Sequence, residues 1–258
     1  MKIAIITVAG VSSRFNQGVA EDNVILKAIY YDGRQEDTLL YHMVSRFSFV
    51  DRIIVVGGFQ FDRLSQYVER FLPDAIKRKI TLVYNDHFED YSSGYSLHLG
   101  VSEAFKTNPS EIEDIFFAEG DLDVDDEAVS KIAQSEKTVL TYNNELIQSN
   151  KAVVLYLDEE RKYKYAFNTQ HGPLMISGPF YSIYNSGQIW KFHDAFRLSK
   201  ANDLFCKDDL QNETNLCIVR HYLSDLDETE IELIGFDKWC NCNTRDDYMT
   251  IRKGWEEA

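Results

Sequence analysis

The sequence predicts an α/β fold in which a mixed, mostly parallel central sheet is flanked by helices. The apolar run that begins at Ile3 is typical of a strand buried on both faces. Residues 51–59 have the pattern of a second buried strand, and residues 80–85 that of a third strand. Segments with helical spacing, at 38–48 and 62–71, separate these runs. Strands that alternate with helices imply parallel pairing through right-handed crossovers. We therefore expect ligands to bind at the carboxyl ends of these strands.

The boundaries of the first elements have local causes. Thr38 precedes the first apolar helix positions and is a suitable N-cap. Pro73 follows the second helical segment and ends it, because proline lacks the backbone N–H that a helix needs. Small polar residues over 91–100 then open a further helix, and an ordinary capped helix is the alternative explanation for them.

The second half of the chain changes character. Strand-like runs at residues 138–142, 151–156 and 163–167 predict an antiparallel meander. Trp190 and Phe192 are predicted to lie in the core. The last third is predicted to contain helices at 193–200 and 213–224, a strand at 231–235 and a closing helix.

Composition limits the class of protein. Of the 258 residues, 44% are hydrophobic and 13% aromatic, which predicts a folded globular chain. A net charge of −15 argues against nucleic acid or an anionic membrane as a partner. The cysteines match no common zinc spacing and are expected to be reduced thiols of a cytoplasmic protein. The first strand follows Met1 and Lys2 directly, so we expect no signal peptide.

The turn after the first strand is a candidate anion-binding loop. It contains Ala9, Gly10, Ser12 and Ser13, and Arg14 follows at once. Small residues allow several backbone N–H groups to approach one phosphate, and an arginine adds a bidentate contact. An ordinary turn with a surface arginine would have the same residues. The loop is neither a P-loop nor a dinucleotide-binding glycine motif.

A carboxylate cluster follows the apolar run at 115–118. Asp121 and Asp123 are delivered to the same sheet edge, where a bound cation would relieve their repulsion. Asp125 and Asp126 are better placed to cap the next helix, predicted at 127–135. An acidic turn without a metal remains the alternative.

Residues 7–15 resemble the signature loop of the sugar-phosphate nucleotidyltransferases and their cytidylyltransferase relatives. Thr7 and Val8 replace the usual Leu-Ala, and Ser12 replaces the middle glycine, as in the molybdopterin-type branch. The resemblance implies a Rossmann-like nucleotidyltransferase fold of the GT-A type, built as one domain. Its nucleotide-binding half would be residues 1–137, and residues 138–258 would form the acceptor-binding half with a small antiparallel region.

The same resemblance implies the site. Lys27 matches the lysine that reaches the phosphates, although Leu26 stands where the family has proline. The closing segment at 239–248 resembles the family's last motif, in which Asn243 matches a metal ligand and Asn241 departs from the usual acid. The implied catalytic residues are Arg14, Lys27 and Asp121. Asp121 and Asn243 would bind Mg²⁺, or Mn²⁺ in its place.

The same resemblance also implies the substrate contacts. Residues 91–100 resemble the segment beside the base in phosphocholine-type cytidylyltransferases. The implied nucleotide-binding residues are Val8, Ala9, Gly10, Ser12, Ser13, Gly57, Asn85, Ser93, Gly94 and Ser96. His171, Tyr184 and Asn185 are candidates for acceptor binding, and packing explains each of them equally well.

The implied reaction transfers CMP from CTP to a small phosphorylated metabolite and releases pyrophosphate. The motifs most resemble the phosphoglutamine cytidylyltransferases of capsule synthesis. Phosphocholine and sugar 1-phosphates remain alternative acceptors. A nucleotide-binding regulatory domain without turnover is the alternative of another class. No oligomeric state follows from the sequence.

Overall fold

The computed structural model describes residues 1–106, 108–150, 152–168, 172–208 and 210–256. The strands are β1 (Lys2–Val8), β2 (Arg52–Gly57), β3 (Ile80–Tyr84), β4 (Asp114–Glu119), β5 (Leu122–Val124), β6 (Thr138–Asn143), β7 (Val154–Asp158), β8 (Tyr163–Ala166), β9 (Phe180–Phe192), β10 (Ile231–Phe236) and β11 (Trp239–Asn241). The helices are α1 (Leu39–Arg46), α2 (Phe61–Phe71), α3 (Asp74–Lys77), α4 (Ser93–Ala104), α5 (Asp126–Gln134), α6 (Ala195–Phe205), α7 (Asn215–Leu223) and α8 (Arg245–Glu256).

The central sheet has nine strands, with β1 in its interior. β1 pairs in parallel with β2 and β4, and β2 pairs in parallel with β3. β9 is antiparallel to both β4 and β6, and β10 is parallel to β6. The predicted α/β class, with parallel central strands in a mixed sheet, is confirmed.

The predicted meander is only partly correct. β7 and β8 form an antiparallel hairpin as expected, but β6 does not pair with β7. The long strand β9 lies between them in the pairing order, paired with β6 over Asn185–Lys191 and with β7 over Phe180–Asn185. Its residues mix aromatic and small polar side chains and include Gln188 at a φ of 56°, so the sequence has no clean strand pattern there.

Apolar side chains pack on both faces of the central strands. Ile3 and Ile5 of β1 belong to a cluster with residues of α4, α6 and α7. Ala4 and Ile6 belong to the opposite cluster, with residues of α1, α2 and α5. Trp190 and Phe192 are fully buried, as predicted for core residues. None of the helices in the described ranges has the length and apolar character of a membrane span.

A small second sheet connects the end of the chain to the carboxyl end of β4. In this sheet β5 and β11 are antiparallel, and Asp123 is opposite Cys240. Just beyond it, the Cys242 backbone N–H donates to the Asp121 carbonyl at 2.8 Å. The closing segment is therefore fixed beside the acidic turn that follows β4.

Candidate active site

A cleft of about 400 Å³ opens at the carboxyl ends of β1, β3 and β4. Parallel pairing of β1 with β2 and β4 puts the loops after these strands at one edge, as the topology predicts. Predicted site residues that line the cleft are Val8, Ala9, Gly10, Ser12, Ser13, Arg14, Lys27, Asn85, Ser93, Ser96, Asp121 and Asn243.

The loop after β1 is hydrogen-bonded to neighbouring residues on one side and is open toward the cleft on the other. Ser12 has a left-handed backbone, with φ 56°. Its carbonyl accepts hydrogen bonds from the backbone and the side-chain amide of Asn16, both at 3.0 Å. Its hydroxyl accepts from the Lys27 backbone N–H at 3.2 Å. A Cβ built on Gly10 would meet nothing within 4 Å, so the open side has space for an anion.

Arg14 is exposed at the cleft. Its guanidinium makes no ion pair or hydrogen bond with any residue that the structure describes. Its five donors are therefore available to a ligand. This geometry suits the phosphate contact that the sequence predicts for Arg14.

Lys27 and Asp121 form an ion pair inside the cleft. The Lys27 Nζ lies 2.6 Å from Asp121 Oδ2 and donates to the Cys242 carbonyl at 3.0 Å. Both side chains are 20% exposed. The lysine thus joins three segments, because its backbone also bonds Ser12.

Asp121 and Asn243 have the features of a Mg²⁺ site. The other Asp121 oxygen, Oδ1, is buried and has no hydrogen-bond partner among the described residues. The backbone N–H groups of Asn243 and Thr244 donate to Asp247 Oδ2, which fixes this turn at the start of α8. Carboxylate and amide oxygens are the hard donors that Mg²⁺ takes, so the residues present fit the ion.

Asp123 does not line the cleft, although the sequence places it in the same carboxylate cluster as Asp121. It is completely buried and forms ion pairs with Arg46 at 2.9 Å and Lys238 at 2.8 Å. The Trp255 indole N–H donates to its Oδ1 at 2.9 Å. These partners tie α1 and α8 to β5, so the role of Asp123 is structural.

Two glycines of the predicted nucleotide site do not line the cleft. A Cβ on Gly57 would clash with Leu64 of α2. A Cβ on Gly94 would clash with the carbonyl of Glu213 and the ring of Phe205. Both positions need glycine because neighbouring elements approach closely, and ligand contact by these two residues stays a prediction.

Two of the acceptor candidates, Tyr184 and Asn185, are not among the residues that line the cleft. The Tyr184 ring packs on Tyr142, with centroids 4.9 Å apart. The Asn185 side-chain amide donates to Asn143 Oδ1 at 3.1 Å. Both residues lie on β9 where it pairs with β7, so packing is the reading that the structure favours for them. His171 lies outside the described residues.

Sequence reasoning missed two polar residues of the cleft, Glu119 and Asn215. The Asn215 side-chain amide donates to Glu119 Oε1 at 2.7 Å, and its backbone N–H donates to the Ser93 hydroxyl at 3.3 Å. Burial, together with the charge of Asp121, raises the pKa of Glu119 to about 7. Glu119 is the last residue of the apolar strand β4 and lies on the same face of the strand as Phe117. This position was the sequence signal that could have identified Glu119.

Aromatic side chains complete the lining. Phe88 and Tyr91, which follow β3, both border the cleft. Tyr91 is stacked on His87 with ring centroids 4.0 Å apart, so its orientation is fixed. These rings offer an apolar surface beside Ser93 and Ser96.

The chain belongs to the family described as "Domain of unknown function (DUF6564)", whose model matches residues 23–255. No curated protein sequence matches the chain.

Solved structures of nucleotidyltransferases have the same fold. The inositol-1-phosphate CTP transferase from T. maritima aligns with a TM-score of 0.67 and 18% identity, over 98% of this chain and 96% of the other. The CTP:phosphocholine cytidylyltransferase from Streptococcus pneumoniae aligns with a TM-score of 0.63 and 14% identity, over 98% and 99%. These alignments confirm the predicted Rossmann-like nucleotidyltransferase fold.

Proposed function

We propose that this member of the DUF6564 family transfers CMP from CTP to a small phosphorylated metabolite and releases pyrophosphate. The observation that carries the proposal is the convergence of the loop after β1, Lys27, Asp121 and Asn243 on one cleft. Both similar structures described above are of proteins named for CTP and a phosphorylated acceptor.

The phosphate side of the reaction uses the loop and two cations. Backbone N–H groups around Gly10 and the free guanidinium of Arg14 bind the triphosphate. The acceptor phosphate forms a bond to the α-phosphorus, and the bond to the bridging oxygen of pyrophosphate breaks. Arg14 and Lys27 offset the negative charge that the leaving pyrophosphate carries. The protein contributes position and charge, not covalent chemistry.

Asp121 and Asn243 would hold Mg²⁺, or Mn²⁺. The buried, unpartnered Oδ1 of Asp121 supports this assignment, because an orphaned carboxylate oxygen is costly without a partner. When bound, the ion neutralises charge on the phosphate oxygens. Lys27 holds Asp121 in place through its ion pair.

For the acceptor we propose phosphoglutamine, used in capsule or surface polysaccharide modification. The support is the sequence resemblance, together with Glu119 and Asn215 in the cleft. A carboxyl group and an amide are suitable partners for the ammonium and amide groups of an amino-acid acceptor. Phosphocholine and sugar 1-phosphates remain the other acceptors to test.

A pyrophosphate-release assay tests the proposal. Each of the four NTPs is combined with phosphoglutamine, phosphocholine and a series of sugar 1-phosphates, in the presence of Mg²⁺. Release of pyrophosphate with CTP and one acceptor is the expected result. Nucleotide binding without release in every combination would instead favour a regulatory domain.

We expect a preference for CTP over UTP of at least about tenfold in kcat/KM, because each buried polar group left unpaired costs roughly 1–3 kcal/mol. Cytosine and uracil have opposite donor and acceptor patterns at N3 and C4. Ser96 is fixed by its hydrogen bond from Asn85 at 2.9 Å, and Ser93 by Asn215, so neither hydroxyl reorients at no cost. Initial rates below KM decide the point, and equal rates or faster UTP turnover would contradict the cytidylyltransferase assignment.

Arg14→Ala and Lys27→Ala should each lower kcat/KM by at least about tenfold, the lower end of what a positioned charge contributes to such a transfer. Arg14 has no partner among the described residues, so its loss should leave the melting temperature almost unchanged. Arg78→Ala is the matched control, because Arg78 is exposed just before β3, at the opposite edge of the sheet. Wild-type rates in both variants, with lowered stability, would assign these residues a structural role.

A further inference from the structure

Asp208, Cys217 and His221 form a side-chain cluster apart from the residues that line the cleft. Cys217 and His221 are one turn apart on α7 and therefore on the same face of the helix. Asp208 Oδ2 lies 2.6 Å from His221 Nε2 and 3.1 Å from Cys217 Sγ. The three potential ligand atoms all lie within 4.8 Å of one another.

We propose that this cluster is a transition-metal site whose matching ion is Zn²⁺. A thiolate, an imidazole and a carboxylate form a ligand set that zinc takes in proteins, with water in the fourth position. Zinc bonds of about 2.0–2.3 Å separate tetrahedral ligands by roughly 3.3–3.8 Å. Asp208 therefore needs to move away from His221 and from Cys217 by less than about 1 Å in each case to accept the ion. Mg²⁺ is a poor match, because it favours oxygen ligands.

The metal-free protein has a hydrogen-bonded network at the same place. The Cys217 thiol donates to Asp208 Oδ2. Binding therefore replaces the thiol proton: the S–H bond breaks, a sulfur–zinc bond forms, and one proton is released to solvent. The resulting thiolate and the Asp208 carboxylate together balance the two charges of the ion.

The guanidinium of Arg220 lies beside the cluster. An Arg220 nitrogen donates to Cys217 Sγ at 3.3 Å and also lies 3.8 Å from Glu213. The Arg220 side chain is 63% exposed, so it can turn to Glu213 and solvent when the ion binds. Its charge is screened by water there, and it does not exclude the metal.

A metal at this position would fix the connection between α6 and α7. That connection borders the cleft: the Gln211 carbonyl accepts from the Ser92 backbone N–H at 2.8 Å, and α7 begins at Asn215. The site joins Asp208, at the start of the connection, to two residues of α7. We therefore assign it a structural role, independent of nucleotidyl transfer.

Cobalt(II) titration of metal-free protein tests the proposal, because a cobalt–thiolate bond produces a charge-transfer band in the near ultraviolet. We expect a band that saturates at one equivalent and is displaced by Zn²⁺. Cys217→Ser should abolish it. Cys206→Ser, which removes an exposed thiol of the same connection, should keep it. No band in the wild type, or a band that survives in Cys217→Ser, would overturn the proposal.

Asp208→Asn separates a metal site from a hydrogen-bonded network. The asparagine oxygen still accepts from Cys217 and His221, whereas the charged ligand is lost. Loss of an outer-shell partner typically costs about 10–100-fold in metal affinity, and the loss of zinc affinity here should be larger. The melting temperature of the metal-free variant should stay close to that of the wild type. Unchanged zinc affinity would mean that the cluster is a hydrogen-bonded network only.

Discussion

Replacing Asp121 with alanine is expected to lower kcat by at least about a hundredfold, the range seen when a group that stabilises transition-state charge is removed. This corresponds to about 2.7 kcal/mol or more in the activation barrier. The reason is structural: Asp121 is the carboxylate of the cleft with a buried, unpartnered oxygen, and it also positions Lys27. Single-turnover rates with CTP and the best acceptor give the comparison.

Two controls separate the loss of turnover in Asp121→Ala from a loss of folding. Asp126→Ala removes an acid of the same acidic run that does not line the cleft and whose side chain is 84% exposed, so its kcat should be unchanged. Asp121→Ala should also melt near the wild-type temperature, because the loss of the Lys27 pair is offset by relief of the repulsion between Asp121 and Glu119. Full turnover of the wild type in excess chelator would contradict the metal role of Asp121.

The parallel part of the fold was predictable because three of its strands, β1, β2 and β4, are buried on both faces. β1, β2 and β4 are nearly continuous apolar runs, and each ends at small or polar residues. Helix caps were local enough to predict as well. Thr38 accepts from the Tyr41 N–H at the start of α1, and Asp125 accepts from Ala128 at the start of α5.

The order of the remaining strands was not predictable from local pattern. β9 combines antiparallel pairing to three strands with a kink at Gln188, and its outer half is partly exposed. Its sequence therefore resembles a polar aromatic loop. The position of β6 between β9 and β10 depends on pairing between distant segments, which periodicity does not encode.

Predicted site residues line the cleft where the fold itself fixes their position. The loop after β1 and the turn after β4 lie at strand ends, so topology alone brings them together. Asn215 was missed because it enters the cleft from α7, through packing of helices that the sequence does not specify. Gly57 and Gly94 do not line the cleft, and their sequence could not show this, because a glycine required by a close helix contact looks the same in sequence as one beside a ligand.

Replacing Asp123 with alanine is expected to destabilise the protein by about 3–5 kcal/mol, the usual cost of removing one partner from a buried ion pair. Asp123 is fully buried, and Arg46 is nearly so, with 11% of its side chain exposed. Without the carboxylate, the Arg46 guanidinium is left without its buried counter-charge, and the Trp255 indole N–H loses its acceptor. The contacts of α1 and α8 with β5 weaken together.

Chemical denaturation of Asp123→Ala and Asp121→Ala, only two positions apart, gives opposite expected results. The first variant should unfold at a much lower denaturant midpoint while its folded molecules lose far less turnover than Asp121→Ala. The second should keep its midpoint and lose its rate. Asp123→Asn, which retains volume and one acceptor for Trp255, should be intermediate in stability. A wild-type midpoint in Asp123→Ala would mean that Arg46 and Lys238 find other partners and that this buried cluster does not hold α8 in place.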